Sequence, residues 1–98
     1  MTIEIKRNAE KTIIKLVGRL DTTTAPALDK TIGEDIAGTK NLVLDVKELE
    51  YISSAGLRVL LGAQKKMQKI GSMKVTNVRE EVMEVFEMTG FADILVIE

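Results

Sequence analysis

Residues 49–61 read Leu49-Glu50-Tyr51-Ile52-Ser53-Ser54-Ala55-Gly56-Leu57-Arg58-Val59-Leu60-Leu61, and the change of rhythm inside this stretch decides the fold. Before it, Asn41–Val46 (NLVLDV) is a short apolar run that suits a strand buried on both faces. A loop through Leu49 and Tyr51 is expected next. From Ala55 the period turns helical, and Leu57, Leu60, Leu61, Gln64, Met67 and Ile70 fall near one stripe. Lys65, Lys66 and Lys69 come late, where cations suit the negative end of a helix. Gly71 is the expected stop, and Met73–Thr76 reads as the next strand.

The same strand-helix alternation extends in both directions. Upstream, Thr2–Lys6 alternates, with Ile3 and Ile5 on one face, and Thr12–Val17 is β-branched and closed by Gly18. The short polar turn at Asn8–Lys11 predicts an antiparallel hairpin. Asp21-Thr22-Thr23-Thr24 is a cluster of capping residues, and Pro26 follows where its missing N–H costs least. Leu28, Ile32 and Ile36 then mark one buried helix face, which Gly38 ends. Downstream, Asn77 followed by Glu80 resembles a cap. Val82, Val85, Phe86 and Met88 or Thr89 mark a third helix ended by Gly90, and Ile94–Ile97 could add a last strand or an extended tail. The predicted order is β-β-α-β-α-β-α-β. This is an α/β fold in one domain spanning residues 1–98, with a mixed, mostly parallel sheet packed with helices.

Composition narrows the function. The chain has 98 residues and a net charge of −1, 45% hydrophobic and 30% charged residues, with both signs spread along it. That reads as a globular domain without the electrostatic footprint of direct nucleic-acid binding. No stretch approaches the roughly 20 apolar residues of a membrane span, so no membrane insertion is expected. The charged, alternating start does not resemble a signal peptide, and a cytoplasmic location is expected. Cysteine and histidine are both absent. That removes thiol chemistry, the common zinc ligands and the commonest general base. With no glycine-rich phosphate loop either, no cofactor and no metal are expected, and no catalytic residue is assigned.

The two serines carry the remaining chemical interest. At the start of a helix the Ser54 hydroxyl can cap the free N–H groups of the first turn, and local chemistry alone favours that role over regulation. The small pair Ala55-Gly56 would let another backbone come close.

Four segments in order give a further reading. Gly18-Arg19-Leu20-Asp21 with Thr24-Ala25-Pro26, the strand Asn41–Val46, the stretch Ile52-Ser53-Ser54-Ala55-Gly56-Leu57, and Val82–Phe91 (VMEVFEMTGF) together resemble the STAS domain family. The similarity is to its stand-alone bacterial anti-sigma factor antagonists. The resemblance implies a switch rather than an enzyme. The unmodified protein would bind an anti-sigma factor that is also a serine kinase, and so release a sigma factor. The kinase would phosphorylate a serine at the start of the second helix and end the binding, and a PP2C-type phosphatase would reset it. Aligning Gly56-Leu57 with the family motif makes Ser54 the phosphorylated residue. Ser53 stands where the family usually has aspartate, and it is a second candidate. The implied partner surface comprises Asp21, Thr22, Thr23, Ser53, Ser54, Ala55, Gly56 and Arg58. The alternative reading is a STAS scaffold or adaptor module that is not phosphorylated.

Overall fold

The computed structural model describes residues 1–98, the side chain of Asp35 excepted. Two strands open the chain, β1 (Thr2–Asn8) and β2 (Lys11–Leu20), and they pair antiparallel. Ala9 turns the corner at a φ of 54°. The helix α1 (Ala25–Asp35) leads to β3 (Asn41–Ile52), and α2 (Ser54–Ile70) leads to β4 (Ser72–Thr76). β2 pairs parallel to β3, and β3 parallel to β4, so the sheet order is β1-β2-β3-β4. Two crossovers of the same hand stepping in one direction put α1 and α2 on one face of the sheet, where they pack on each other. The third helix, α3 (Glu80–Thr89), packs against β3.

Side chains alternate across the sheet accordingly. Ile14, Leu16, Leu42, Leu44, Val46, Met73 and Val75 point toward the helices and join one core with Leu28, Ile32, Leu57, Leu60, Met67, Val82 and Phe86. On the opposite face Lys15 pairs with Glu48 at 2.8 Å. Ile3 is half-buried, whereas Ile5 on the edge strand is 42% exposed. Buried polar groups are few: Thr12 and Thr39 join their hydroxyls at 2.7 Å, and Gln64 on α2 is buried with its Oε1 unpaired.

Several expectations change. The loop expected through Leu49 and Tyr51 is strand, because β3 runs on to Ile52. Its register against β2 shifts twice, between Lys15 and Val17 and between Gly18 and Arg19. Each shift inserts one extra residue on β3, so Val46, Leu49 and Ile52 all stay buried although they are three apart in sequence. β2 likewise continues through Gly18, which sits at one of these bulges at a φ of 107°. Asn77 does not cap α3. It adopts a φ of 59° and donates from Nδ2 to Asp45 Oδ1 at 3.1 Å, and α3 starts after Arg79 without a side-chain cap. The expected last strand reduces to one parallel bridge, Val75 to Ile97. Gly90 turns left-handed and a 3-10 turn at Phe91–Asp93 follows, so only the tail beyond it reaches β4.

Gly71 does stop α2, for a packing reason. Its φ of 173° is ordinary extended backbone, but a Cβ there would lie 1.9 Å from the carbonyl oxygen of Lys40. On the stripe of α2, Ala63 is buried where Ile70 was expected, and Ile70 is 45% exposed.

Candidate functional site

The two parallel strands β2 and β3 end together, with Leu20 opposite Ile52. Asp21 and Ser53 are the next residues of each chain segment, and Ser53 N–H donates to the Leu20 carbonyl at 2.9 Å. The turn before α1 and the start of α2 therefore emerge side by side. This single arrangement brings Asp21, Thr22, Thr23, Ser53, Ser54, Ala55 and Arg58 to one end of the sheet.

The turn before α1 is tightly bonded. Asp21 Oδ1 accepts from the Thr23 and Thr24 N–H groups at 3.0 and 3.1 Å and from the Thr23 hydroxyl at 2.7 Å. In return Thr24 Oγ1 accepts from Asp21 N–H at 2.8 Å and donates to the Arg19 carbonyl at 2.8 Å. The Asp21 carbonyl accepts from Ala25 N–H at 2.8 Å, so the turn runs directly into the helix. The reciprocal pair of bonds is like that of a capping box, with threonine in the place usually held by glutamate, but it closes the turn one step before α1. The Thr23 hydroxyl, followed by the backbone donors, holds the Asp21 carboxyl below the usual carboxylate range. Asp21 thus holds the turn that precedes α1, whose own N-cap, Thr24, makes no side-chain capping bond within the helix, and Thr22 is exposed beside it.

The start of α2 is much barer. Ser53, not Ser54, is the N-cap: its backbone is extended and its Oγ accepts from Gly56 N–H at 3.4 Å. Ser54 is the first helical residue, is exposed, and its hydroxyl has no hydrogen-bond partner among the described residues. The cap expected of Ser54 therefore falls to Ser53, because Ser53 keeps the extended backbone of the strand end and Ser54 is already helical. Gly56 corrects another expectation. It is buried, and a Cβ on it would lie 2.7 Å from Leu20 Cγ and 2.9 Å from Ile52 Cγ1. Its smallness seats α2 on the strand ends and does not offer surface to a partner. Ala55 is half-buried against the core, and Arg58 is exposed one helical turn beyond Ser54.

Two further residues lie one position before the strand ends and were not expected near them. Arg19 and Tyr51 are cross-strand neighbours, and the guanidinium lies 4.3 Å from the centre of the ring. Tyr51 is 40% exposed. Only the pairing of β2 with β3, with its two bulges, puts these positions together. Among the described residues no cluster of carboxylates could hold a metal ion, and no helix is long and apolar enough to cross a membrane. Hollows of about 360 and 400 Å³ open elsewhere, one lined by Lys11, Asn41 and Ser72 and the other by Glu4, Lys6 and Lys15.

Comparison with known proteins agrees with this architecture. The STAS domain family model matches residues 2–98. An anti-sigma-B factor antagonist of Bacillus subtilis is 29% identical over 96 residues, covering 97% of this chain and 88% of its own length. An anti-sigma F factor antagonist of Paenibacillus polymyxa is 32% identical over 98 residues, covering 97% and 84%. The crystal structure of an anti-sigma factor antagonist from Mycobacterium paratuberculosis superposes with a TM-score of 0.88 at 25% identity, covering 98% of this chain and 83% of the other. From its first strand to its tail, the chain belongs to the STAS domain family, among the anti-sigma factor antagonists.

Proposed function

We propose that this protein is a cytoplasmic binding switch. Its unmodified form binds an anti-sigma factor that is also a serine kinase, and phosphorylation of Ser54 ends that binding. The released sigma factor is the output, and a PP2C-type phosphatase restores the unmodified form. The protein acts through a surface and not through catalysis. The observation that carries this reading is the division of labour at the start of α2. Ser53 takes the capping bond, which leaves the Ser54 hydroxyl exposed and unbonded for a kinase to reach.

The physical effect of the phosphate falls on the partner. A phosphoserine carries about −1.5 to −2 charges, and a helix N-terminus accommodates negative charge, so the domain stays folded. A partner carboxylate about 6 Å away, at an effective dielectric of about 20, would be repelled by roughly 5 kcal/mol. That corresponds to more than a thousandfold loss of affinity. Asp21 flanks Ser54 but is held by Thr23 and Thr24, which supports a positioning role for it at the edge of the surface.

The test is to incubate the protein with its anti-sigma factor kinase and ATP, map the modified residue by mass spectrometry, and measure affinity before and after by calorimetry. Addition of one phosphate at Ser54 with loss of binding is expected. A phosphate on Ser53 would move the site by one residue. Binding without any modification would favour the scaffold reading.

A further inference from the structure

We propose that Arg58 is the internal counter-cation of phosphorylated Ser54, holding the phosphate against the protein's own surface. The inference rests on the assignment of phosphorylation to Ser54. Ser54 and Arg58 are the first and fifth residues of α2. Residues four apart on a helix are surface neighbours, with Cβ atoms about 5–6 Å apart. Helical side chains lean toward the N-terminus, so a long side chain at position 58 covers the turn that carries Ser54. An anion four residues N-terminal to a cation is also the favoured order on a helix.

Among the described residues, nothing competes for this arginine. Arg58 is exposed and has no ion pair, hydrogen bond or ring contact among the described residues. The contrast is with Arg7, which donates to the Ala37 carbonyl at 2.8 Å, and Arg19, which lies over Tyr51. α2 contains no acidic residue. The residues three and four positions from Arg58 on either side are Ser54, Ala55, Leu61 and Gly62, so only Ser54 can become an anion. The charged and titratable groups near the ends of β2 and β3 are Arg19, Asp21, Glu50 and Tyr51, and α1, which packs on α2, carries Asp29, Lys30, Glu34 and Asp35. Of these, Asp21 is engaged by Thr23 and Thr24. The helix N-terminus alone would favour any anion. Arg58 adds a planar fork of donors matched to phosphate oxygens, which a lysine ammonium lacks.

The test uses the full chain with phosphoserine incorporated genetically at position 54, so neither a kinase nor a partner is needed. The phosphate is titrated by phosphorus NMR at low salt in the wild type, Arg58→Gln and Arg58→Lys. The second phosphate ionisation should move up by about 0.3 of a pH unit in Arg58→Gln, a roughly twofold change in the proton equilibrium. Arg58→Lys should fall between the two, and about 1 M salt should erase the differences. Identical midpoints for wild type and Arg58→Gln at low salt would overturn the proposal. Failure of a kinase to modify Ser54 would instead count against the switch and leave this titration unaffected.

Discussion

The starts of α1 and α2 stand side by side at one end of the sheet, and their hydrogen bonding differs. Before α1, Asp21 and Thr24 bond each other reciprocally, and Thr23 adds a third short bond to the Asp21 carboxylate. Before α2 there is one side-chain bond, from Gly56 N–H to Ser53 Oγ, at the long distance of 3.4 Å. The second start is held instead from below, where Gly56 sits on Leu20 and Ile52. One start is fixed by polar bonds and the other by packing. Packing leaves the polar groups of the second start free, and that is what a modifiable surface requires.

The largest expected effect tests the freedom of the second start. A single negative charge at Ser54, introduced by Ser54→Asp, should weaken partner binding roughly a hundredfold by the same Coulomb argument. The melting temperature should barely move, since an acidic residue suits the first turn of a helix. Equal affinities by calorimetry would break the comparison. The next effect tests the packing. Gly56→Ala gains helix propensity but overlaps Leu20 and Ile52, for a net loss of about 1–2 kcal/mol in denaturant unfolding. Gly62→Ala on the same helix is the control: nothing lies within 4 Å of its Cβ, and it should gain up to about 1 kcal/mol. If both variants are stabilised, packing does not hold this start.

Smaller effects sharpen the assignment of the two serines. Ser53→Ala should cost about 0.5–1 kcal/mol, at the low end for a cap because the bond is long. Ser54→Ala should stay within about 0.5 kcal/mol. The reverse order would return the cap to Ser54. The smallest effect is a pH dependence of the polar start. The folded Asp21 carboxyl ionises below its ordinary range because Thr23 and the backbone donors favour its charged form. Its contribution to stability is therefore present above the unfolded-state value near pH 4 and is lost as pH falls through the lower folded-state value. Melting curves at successively lower pH should fall more steeply for the wild type than for Asp21→Asn.

The legibility of these features in the sequence differs in the same way as the two starts. The helix faces could be read from spacing: Leu28, Ile32, Leu57, Leu60, Met67, Val82 and Phe86 are all in the core. The Asp21–Thr24 turn was legible as a group of capping residues because capping acts over three or four positions. Strand β3 was only half legible. Its inward residues past Asp45 are Val46, Leu49 and Ile52, and a spacing of three mimics a loop unless the bulges opposite β2 are known. Choosing between Ser53 and Ser54 as the cap required the backbone conformation at the strand end, which the Leu20 hydrogen bond sets.

By itself, the sequence determined the order of the elements as far as the third helix, most of the buried face of each helix and the ordered motifs that resemble one family. Those depend on periodicity and on neighbours a few residues apart. Tertiary structure alone decided that Arg19 meets Tyr51, that Gly56 and Gly71 must be small, and that Ser54 is left without a bond. Each of these depends on atoms brought together from distant parts of the chain. The closeness of Leu20 to Gly56, or of Lys40 to Gly71, is set by strand register and helix seating, and no local pattern encodes it.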